Sequence, residues 1–221
     1  MAEVFDQIVG VFRAGGWVMW PLLGLSLLSV ALSLERAMFW SSRSGGGGGR
    51  RRDERLAKVC AALRRGDVEA ARRAAERDDS VYGWFAGALV ERLGEGGAGE
   101  VEAASVELVE SVRPRVERFA LTMSTIITAA PMLGILGTVI GIIDSFRLLG
   151  ERQDVIVEPS AVAGGIAVAL YTTAFGLIVA LVTLFPYVVF RGAADRCFSR
   201  LESIIAAAAH GAGTLRGGRG E

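Results

Sequence analysis

Two long apolar stretches of the chain carry hydroxylated and small residues at helical spacing. In the first stretch these residues recur every three or four positions: Ser124, Thr128, Pro131, Gly134, Thr138, Gly141 and Ser145. The second stretch repeats the pattern with Gly165, Ala169, Thr172 or Thr173, Gly176, Ala180, Thr183 and Tyr187. Because a helix places residues three and four positions apart on one face, each set forms a stripe along its helix.

Stripes of this kind fit two kinds of chemistry. Small residues let helix backbones approach closely in lipid, and Gly137 and Gly141 match the small-xxx-small pattern of packed membrane helices. Alternatively, threonine hydroxyls can line a narrow, partly hydrated path along which protons or ions pass by hydrogen bonding. Periodicity alone leaves both interpretations open.

Other reactive side chains are few and isolated. Cys60 and Cys197 lack the spacing of a metal or redox pair, so we expect free thiols. The one histidine, His210, stands in an Ala-rich segment and is interpreted as a solvated residue. The sequence contains no recognisable nucleophile, metal-binding or nucleotide-binding motif. It therefore predicts that the protein is not an enzyme and has no cofactor and no metal site.

The elements that must hold the two stripes are membrane-spanning helices. Residues 14–34, 119–143 and 159–190 contain no charged side chain. Each run exceeds the roughly 20 residues that a helix needs to cross the hydrocarbon core. Hydrophobic residues make up 52% of the chain and charged residues still 22%, so the two kinds are segregated. Basic and acidic residues number 24 each, a balance that gives no basis for nucleic-acid binding.

The first run is predicted to be a retained span, because it follows Glu3 and Asp6 where a signal peptide would have basic residues. Its length also exceeds that of a signal-peptide apolar region. Orientation follows from the basic residues, of which 15 of the 24 lie between residues 41 and 118. Cytoplasmic flanks accumulate such residues, so this segment is predicted to be cytoplasmic. The N-terminus is then outside and the C-terminus inside.

These features predict an all-α polytopic membrane protein. It would have three transmembrane helices and a cytoplasmic helical domain, with long helices that extend from the membrane into the cytoplasm. The predicted segments are a periplasmic N-terminal segment (1–13), the first span (14–40), the cytoplasmic domain (41–118), the second span (119–144), a short periplasmic loop (145–160), the third span (161–190) and a cytoplasmic C-terminal tail (191–221).

The cytoplasmic segment has its own internal pattern. Residues 45–49 are five glycines and are predicted to form a flexible linker. Between residues 53 and 92, apolar positions at helical spacing on both sides of Gly66 and Asp67 predict a helical hairpin. After the glycine-rich residues 94–99, a long helix is expected to continue into the second span, kinked at most near Pro114.

Charged residues at the ends of the spans have two interpretations each. Asp144 follows the second apolar run directly and is either a solvated helix terminus or a site where ions enter from the outer side. Glu35 and Arg36 end the first span and are interpreted as interfacial anchors, with pairing to the loop of a neighbouring chain as an additional role.

Two segments resemble the signatures of one protein family. Residues 130–143 read APMLGILGTVIGII, and residues 165–177 read GIAVALYTTAFGL. The first is similar to the pattern A-P-x-L-G-L-L-G-T-V-x-G-M, and the second to G-I-A-E-A-L-x-x-T-A-x-G-L, of the MotA/TolQ/ExbB proton-channel family. The three-span layout with its large cytoplasmic loop resembles the ExbB and TolQ branch.

The resemblance implies a homopentamer in the bacterial inner membrane, surrounded by lipid, that encloses a dimer of a single-span ExbD/TolR-like partner. In that family an Asp on the partner's helix takes up and releases the proton that drives movement. Thr138 and Thr173 match the family's threonines facing this path, which implies a channel-lining role, whereas such a role for Thr172 rests on periodicity. The residues expected to pack helices are Pro131, Gly134, Gly137, Gly141, Gly165, Gly176 and Pro186.

The third span departs from the ExbB and TolQ pattern at two places. Val168 occupies the position of the family's Glu, and the proline that usually follows G-L-x-V-A is found later, at Pro186. Both features resemble the MotA branch, although MotA has four spans. The missing carboxylate implies that the partner's Asp is the sole proton carrier, and it leaves H⁺ and Na⁺ both open. A MotA-like stator subunit using Na⁺ and a non-conducting oligomeric scaffold are the alternative functions.

Overall fold

The described part of the chain is entirely helical. The computed structural model describes residues 16–42, 49–96, 98–150 and 159–217. Its elements are α1 (Met19–Ser42), α2 (Gly49–Arg64), α3 (Val68–Glu76), α4 (Val81–Gly96), α5 (Ala98–Val116), α6 (Ala120–Gly150) and α7 (Pro159–Gly217). The predicted all-α fold class is confirmed.

Three segments are long and apolar enough to cross a membrane, judged by length and composition. They are Met19–Ser41 in α1, Ala120–Arg147 in α6 and Ala163–Gly213 in α7. Helix α7 has 59 residues, roughly three times the number that a bilayer core requires. It is therefore the long helix that the sequence predicted to extend beyond the third span.

Two compact units make up the chain. The first, here called the apolar unit, contains Met1–Leu34 and Phe119–Val188. The second, the charged unit, contains Glu35–Arg118 and Val189–Glu221. Helices α1 and α7 therefore contribute residues to both units.

In the apolar unit, parts of α1, α6 and α7 pack through few large side chains. Met19 and Leu22 of α1 and Met123 and Ile126 of α6 are buried. Most other large apolar side chains point outward, and Leu121 is 81% exposed. Such a surface is expected for helices that face lipid or other membrane helices.

The charged unit has a conventional hydrophobic core. Phe85 and Leu89 of α4 are fully buried against Leu201 and Ile204 of α7, and α2, α3 and α5 add smaller side chains. We expected residues 191–221 to form a tail, but through Gly217 they continue α7, and their apolar face completes this core. His210 on the same helix is exposed, in agreement with its interpretation as solvated.

The helical hairpin predicted between residues 53 and 92 is formed by α2 and α3. Gly66 joins them with a left-handed φ of 69°, a conformation that glycine adopts without steric cost. Asp67 caps α3, because its side chain accepts a hydrogen bond from the Ala70 amide at 2.9 Å. A third helix, α4, follows from Val81 to Gly96.

The expected continuous helix into the second span is interrupted, and not near Pro114. Pro114 lies inside α5, whereas residues 117–119 are non-helical and Phe119 has a φ of 65°. Helix α5 therefore ends at Val116, and α6 starts separately at Ala120. Two of the carbonyl groups at this break, those of Arg115 and Val116, accept hydrogen bonds from Arg36.

Some predicted boundaries fall where the structure gives no description. Of the predicted glycine linker, only Gly49 lies in a described range, and it is the first residue of α2. Helix α6 runs to Gly150 and α7 starts at Pro159, so both extend into the region predicted as the periplasmic loop. Residues 1–15 and 151–158 lie outside the described residues.

Candidate functional site

Helices α6 and α7 approach each other closely along their small-residue stripes. A Cβ atom built on Gly134 would lie 2.9 Å from the Thr172 carbonyl oxygen, and one on Gly141 would lie 2.7 Å from the Ala169 Cβ. A Cβ on Gly137 would overlap the Thr172 hydroxyl. These separations are shorter than van der Waals contact, so glycine is the residue that fits at all three positions.

The close approach extends in both directions along the two helices. A Cβ on Gly176 would lie 2.5 Å from the Ala130 carbonyl oxygen, and one on Gly165 would overlap the Ser145 hydroxyl. That hydroxyl donates a hydrogen bond to the Gly141 carbonyl at 2.8 Å. The glycines for which we predicted a packing role therefore all lie in this contact, which is made within one chain.

Thr172 is enclosed by the contact between the helices. Its hydroxyl lies 2.7 Å from the Ala169 carbonyl oxygen of its own helix and 3.2 Å from the Gly134 carbonyl oxygen of α6. A hydroxyl has a single proton, so it shares that proton between these two acceptors. Thr172 is only 1% exposed and thus has almost no access to solvent within the single chain.

Thr138 and Thr173 form a hydroxyl pair across the two helices, with their oxygens 3.3 Å apart. Thr173 donates to the Gly134 carbonyl at 2.9 Å, and Thr138 donates to the Ile135 carbonyl at 2.6 Å. With both protons directed to carbonyl oxygens, each hydroxyl oxygen keeps lone pairs that can accept a further hydrogen bond. Both residues are partly exposed.

A second polar contact joins α1 to α7. The hydroxyl oxygens of Ser29 and Thr183 are 2.6 Å apart, and both residues are buried. Thr183 is part of the predicted stripe on α7, whereas Ser29 lies on the first span, for which no stripe was predicted. The signal that could have found it is the spacing of Ser26, Ser29 and Ser33, which places all three hydroxyls on one side of α1.

The remaining predicted site residues are more dispersed. Pro131 lies inside α6 and Pro186 inside α7, and both are half-buried. Asp144 is exposed near the C-terminal end of α6. Val168 is part of α7, but its side chain lies outside the described part of the structure.

Arg36 is a buried cation in the charged unit. Only 2% of the residue is exposed, and its guanidinium donates to the carbonyls of Arg115 and Val116 at 3.2 and 3.3 Å. It also pairs with Glu35 at 2.8 Å, and Arg118 lies 3.7 Å from the same carboxylate. The guanidinium therefore bonds the last carbonyls of α5, a position that cations favour.

Burial affects the protonation of one thiol and one tyrosine in the charged unit. Neither Cys60 nor Cys197 forms a disulfide within the described residues, and burial raises the pKa of the Cys60 thiol. Burial, followed by the neighbouring Cys197, raises the pKa of Tyr82 to about 12, against a smaller opposing effect of Arg200. All of these shifts favour the neutral forms at pH 7. Within the described residues, no group of three metal-ligating side chains occurs.

Comparison with known proteins gives consistent matches. The profile of the MotA/TolQ/ExbB proton channel family matches residues 84–203, which include α5, α6 and most of α7. An ExbB-like biopolymer transport protein of Synechocystis sp. is 36% identical over 191 residues, covering 86% of this chain and 87% of the relative. An ExbB homolog of Methanothermobacter thermautotrophicus is 30% identical over 201 residues, covering 90% of this chain and 68% of the relative.

Proposed function

Because the chain belongs to the MotA/TolQ/ExbB proton channel family, we propose that it forms the channel subunit of an inner-membrane motor driven by the proton-motive force. The complex would couple H⁺ flow to mechanical work on a partner that reaches the cell envelope. The relatives' names refer to biopolymer transport, which fits work of this kind. The observation that carries the proposal is the Thr138–Thr173 hydroxyl pair between α6 and α7.

The pair is a polar site with exposed apolar side chains near it in the sequence. Val139 and Leu170, close to the pair in sequence, are exposed large apolar side chains. A proton donor that approached the pair would find two acceptor oxygens, 3.3 Å apart. We assign the lining role to Thr138 and Thr173. The enclosed hydroxyl of Thr172 supports a packing role for that residue instead.

The titrating carboxylate must come from a partner under this proposal. Residues 16–34, 119–143 and 159–188 contain no charged side chain, and Val168 stands where ExbB and TolQ members have Glu. An ExbD/TolR-like single-span helix with an intramembrane Asp would supply the missing group. Its protonated carboxyl could donate to the threonine oxygens, and its ionised form would be costly unless hydrogen-bonded or hydrated.

We further propose that the subunit assembles as a homopentamer around this partner. Met132, Leu170, Leu177 and Phe185 are exposed in the single chain, and such side chains need lipid or neighbouring helices around them. The positive-inside pattern supports an outer N-terminus and a cytoplasmic C-terminus. Asp144 directly follows the apolar run 119–143 and is exposed. It is the proposed point where ions enter.

The test is ion flux in vesicles that contain the complex with its co-purified partner. Thr138→Val and Thr173→Val keep the side-chain shape but remove the hydroxyl, and we expect flux to fall by about tenfold, as a barrier increase of about 1.4 kcal/mol would produce. Thr125→Val is the matched control, because Thr125 is an exposed threonine of α6 whose hydroxyl donates to the Leu121 carbonyl of its own helix. Flux should remain unchanged in this control.

Imposed H⁺ and Na⁺ gradients, applied separately, identify the ion. If flux occurs only under the Na⁺ gradient, the conducted ion is Na⁺ and the MotA-like alternative is supported. Equal flux in wild type and both valine variants at matched assembly would remove the lining role. If wild type with its partner stays silent under every gradient, the non-conducting scaffold is the better description.

A further inference from the structure

A pocket in the charged unit is lined by basic side chains from two helices. Helix α2 contributes Arg55 and Lys58, and helix α3 contributes Arg73 and, at its C-terminal cap, Arg77. The pocket has a volume of about 430 Å³. Ala70 and Ala74 form its remaining lining, and their small side chains leave the space between the cations open.

Within the described residues, the four cations differ from other arginines of this unit in having no salt-bridge partner. Arg72 pairs with Glu76, Arg113 with Glu110, and Arg200 with Asp53. Among the described residues, by contrast, neither the arginines nor the lysine of the pocket form a salt bridge, and no carboxylate lines it. Four like charges around one pocket repel each other, and a bound anion would offset the free energy of this repulsion.

The geometry of the donors indicates the class of anion. Three guanidinium groups offer planar pairs of N–H donors, which match phosphate oxygens, and the lysine adds a point charge. The Nε of Arg73 donates to the Glu69 carbonyl at 3.2 Å, a bond that holds the start of its guanidinium in place. Opposing donors on α2 and α3 suit a ligand with more than one phosphate charge.

We propose that this pocket binds a phosphate-bearing anion, and that the ligand bridges α2 and α3. Two sources share this chemistry: a soluble phosphorylated metabolite and the headgroup of an anionic phospholipid. The pocket and the hydroxyl pair of the apolar unit consist of different residues, so this proposal can be tested separately from ion conduction.

The first test is a titration of the full-length protein, in nanodiscs of zwitterionic lipid, with inorganic pyrophosphate. For a soluble ligand we expect saturable binding by calorimetry, weakened by about tenfold in Arg73→Gln and in Arg55→Gln, since one charge-assisted contact is worth about that factor. Arg72→Gln is the matched control, because it removes the same charge from the next residue of α3 but lines a neighbouring pocket with Glu69, Glu76 and Glu91. Its affinity should equal that of wild type.

The second test replaces the zwitterionic lipid by discs that contain phosphatidylglycerol or cardiolipin, without pyrophosphate. For a lipid headgroup we expect the unfolding temperature to rise in wild type and Arg72→Gln but not in Arg73→Gln or Arg55→Gln. A pocket-dependent response in either test supports the proposal and identifies the source. If Arg73→Gln and Arg55→Gln behave like Arg72→Gln in both tests, the pocket has no phosphate ligand and the proposal is wrong.

Discussion

The apolar unit and the charged unit are both built from helices, yet they bring those helices together by opposite means. In the apolar unit, glycines and hydroxylated residues form the contact, and large side chains such as Phe185, which is 70% exposed, point away from it. In the charged unit, Phe85 is fully buried and charged residues form the surface. Helix α7 takes part in both arrangements along a single uninterrupted helix.

This difference follows from what surrounds each contact. Water drives large apolar side chains into a core, so the charged unit gains stability from each one that it buries. Lipid gives no such drive between helices, so close backbone approach and hydrogen bonds must stabilise the contacts of the apolar unit. Substitutions of opposite kind should therefore damage the two units.

Reduction in side-chain size should have its largest effect in the charged unit. Phe85→Ala removes a fully buried ring from the centre of the core, next to Leu89 and Leu201 in the same cluster. We expect a loss of about 4 kcal/mol in the free energy of unfolding of this unit. The measurement is chemical denaturation followed by helical circular dichroism. Trp84→Ala, which changes an exposed aromatic residue of the same helix, should cost much less.

Increase in side-chain size should have the next largest effect, and in the apolar unit. Gly137→Leu places a side chain where even a Cβ overlaps the Thr172 hydroxyl, so we expect a loss of about 3 kcal/mol or separation of α6 from α7. Gly24→Leu is the control, because a Cβ there meets no atom within 4 Å. The size and partner binding of the purified complex should change in the first variant alone. A normal complex for Gly137→Leu would contradict the tight contact.

The sequence was sufficient to predict the elements that depend on local composition. Charge-free runs of sufficient length specify the spans, and the spacing of glycines specifies the stripes on α6 and α7. Gly66 and Asp67 likewise carry their own turn chemistry, since one supplies a left-handed conformation and the other a helix cap.

Features that depend on distant residues were not predictable in the same way. Helix α5 ends at Val116, where its carbonyls are bonded by Arg36 from a helix about 80 positions earlier in the chain. The apolar face of residues 194–212 is buried because side chains of α2 and α4 belong to the same core. Periodicity placed Thr172 and Thr173 together, but the packing of α6 separates an enclosed hydroxyl from a partly exposed one.

A smaller effect is expected from the polar contact between α1 and α7. Ser29→Ala removes one side of the 2.6 Å hydroxyl pair, but Thr183 keeps its bond to the Val179 carbonyl at 2.7 Å. No hydroxyl is then left unsatisfied, and we expect a loss of about 0.6 kcal/mol, the average for such bonds in membranes. Unfolding in detergent mixtures measures it. Ser124→Ala, at a half-buried serine whose hydroxyl donates to the Leu121 carbonyl of its own helix, should leave stability unchanged.

The last effect is expected only in alkali and concerns Tyr82 in the charged unit. Its pKa in the folded protein is raised from 10 to about 12, chiefly because burial disfavours the phenolate. The folded state therefore binds the proton more tightly than the unfolded chain does. The corresponding stability is fully present below pH 10 and is lost as the pH rises toward 12.

Tyr82→Phe isolates this contribution from the other groups that titrate in alkali. Between pH 7 and pH 10 the difference in unfolding free energy between wild type and variant should be constant, and above pH 10 wild type should lose stability faster. The variant retains the buried ring beside the core and lacks only the hydroxyl. Parallel pH profiles of the two proteins would mean that the phenol is solvated. In that case, the charged unit would bury Tyr82 less completely than it buries Phe85. The two units would then differ less in how far they bury large side chains.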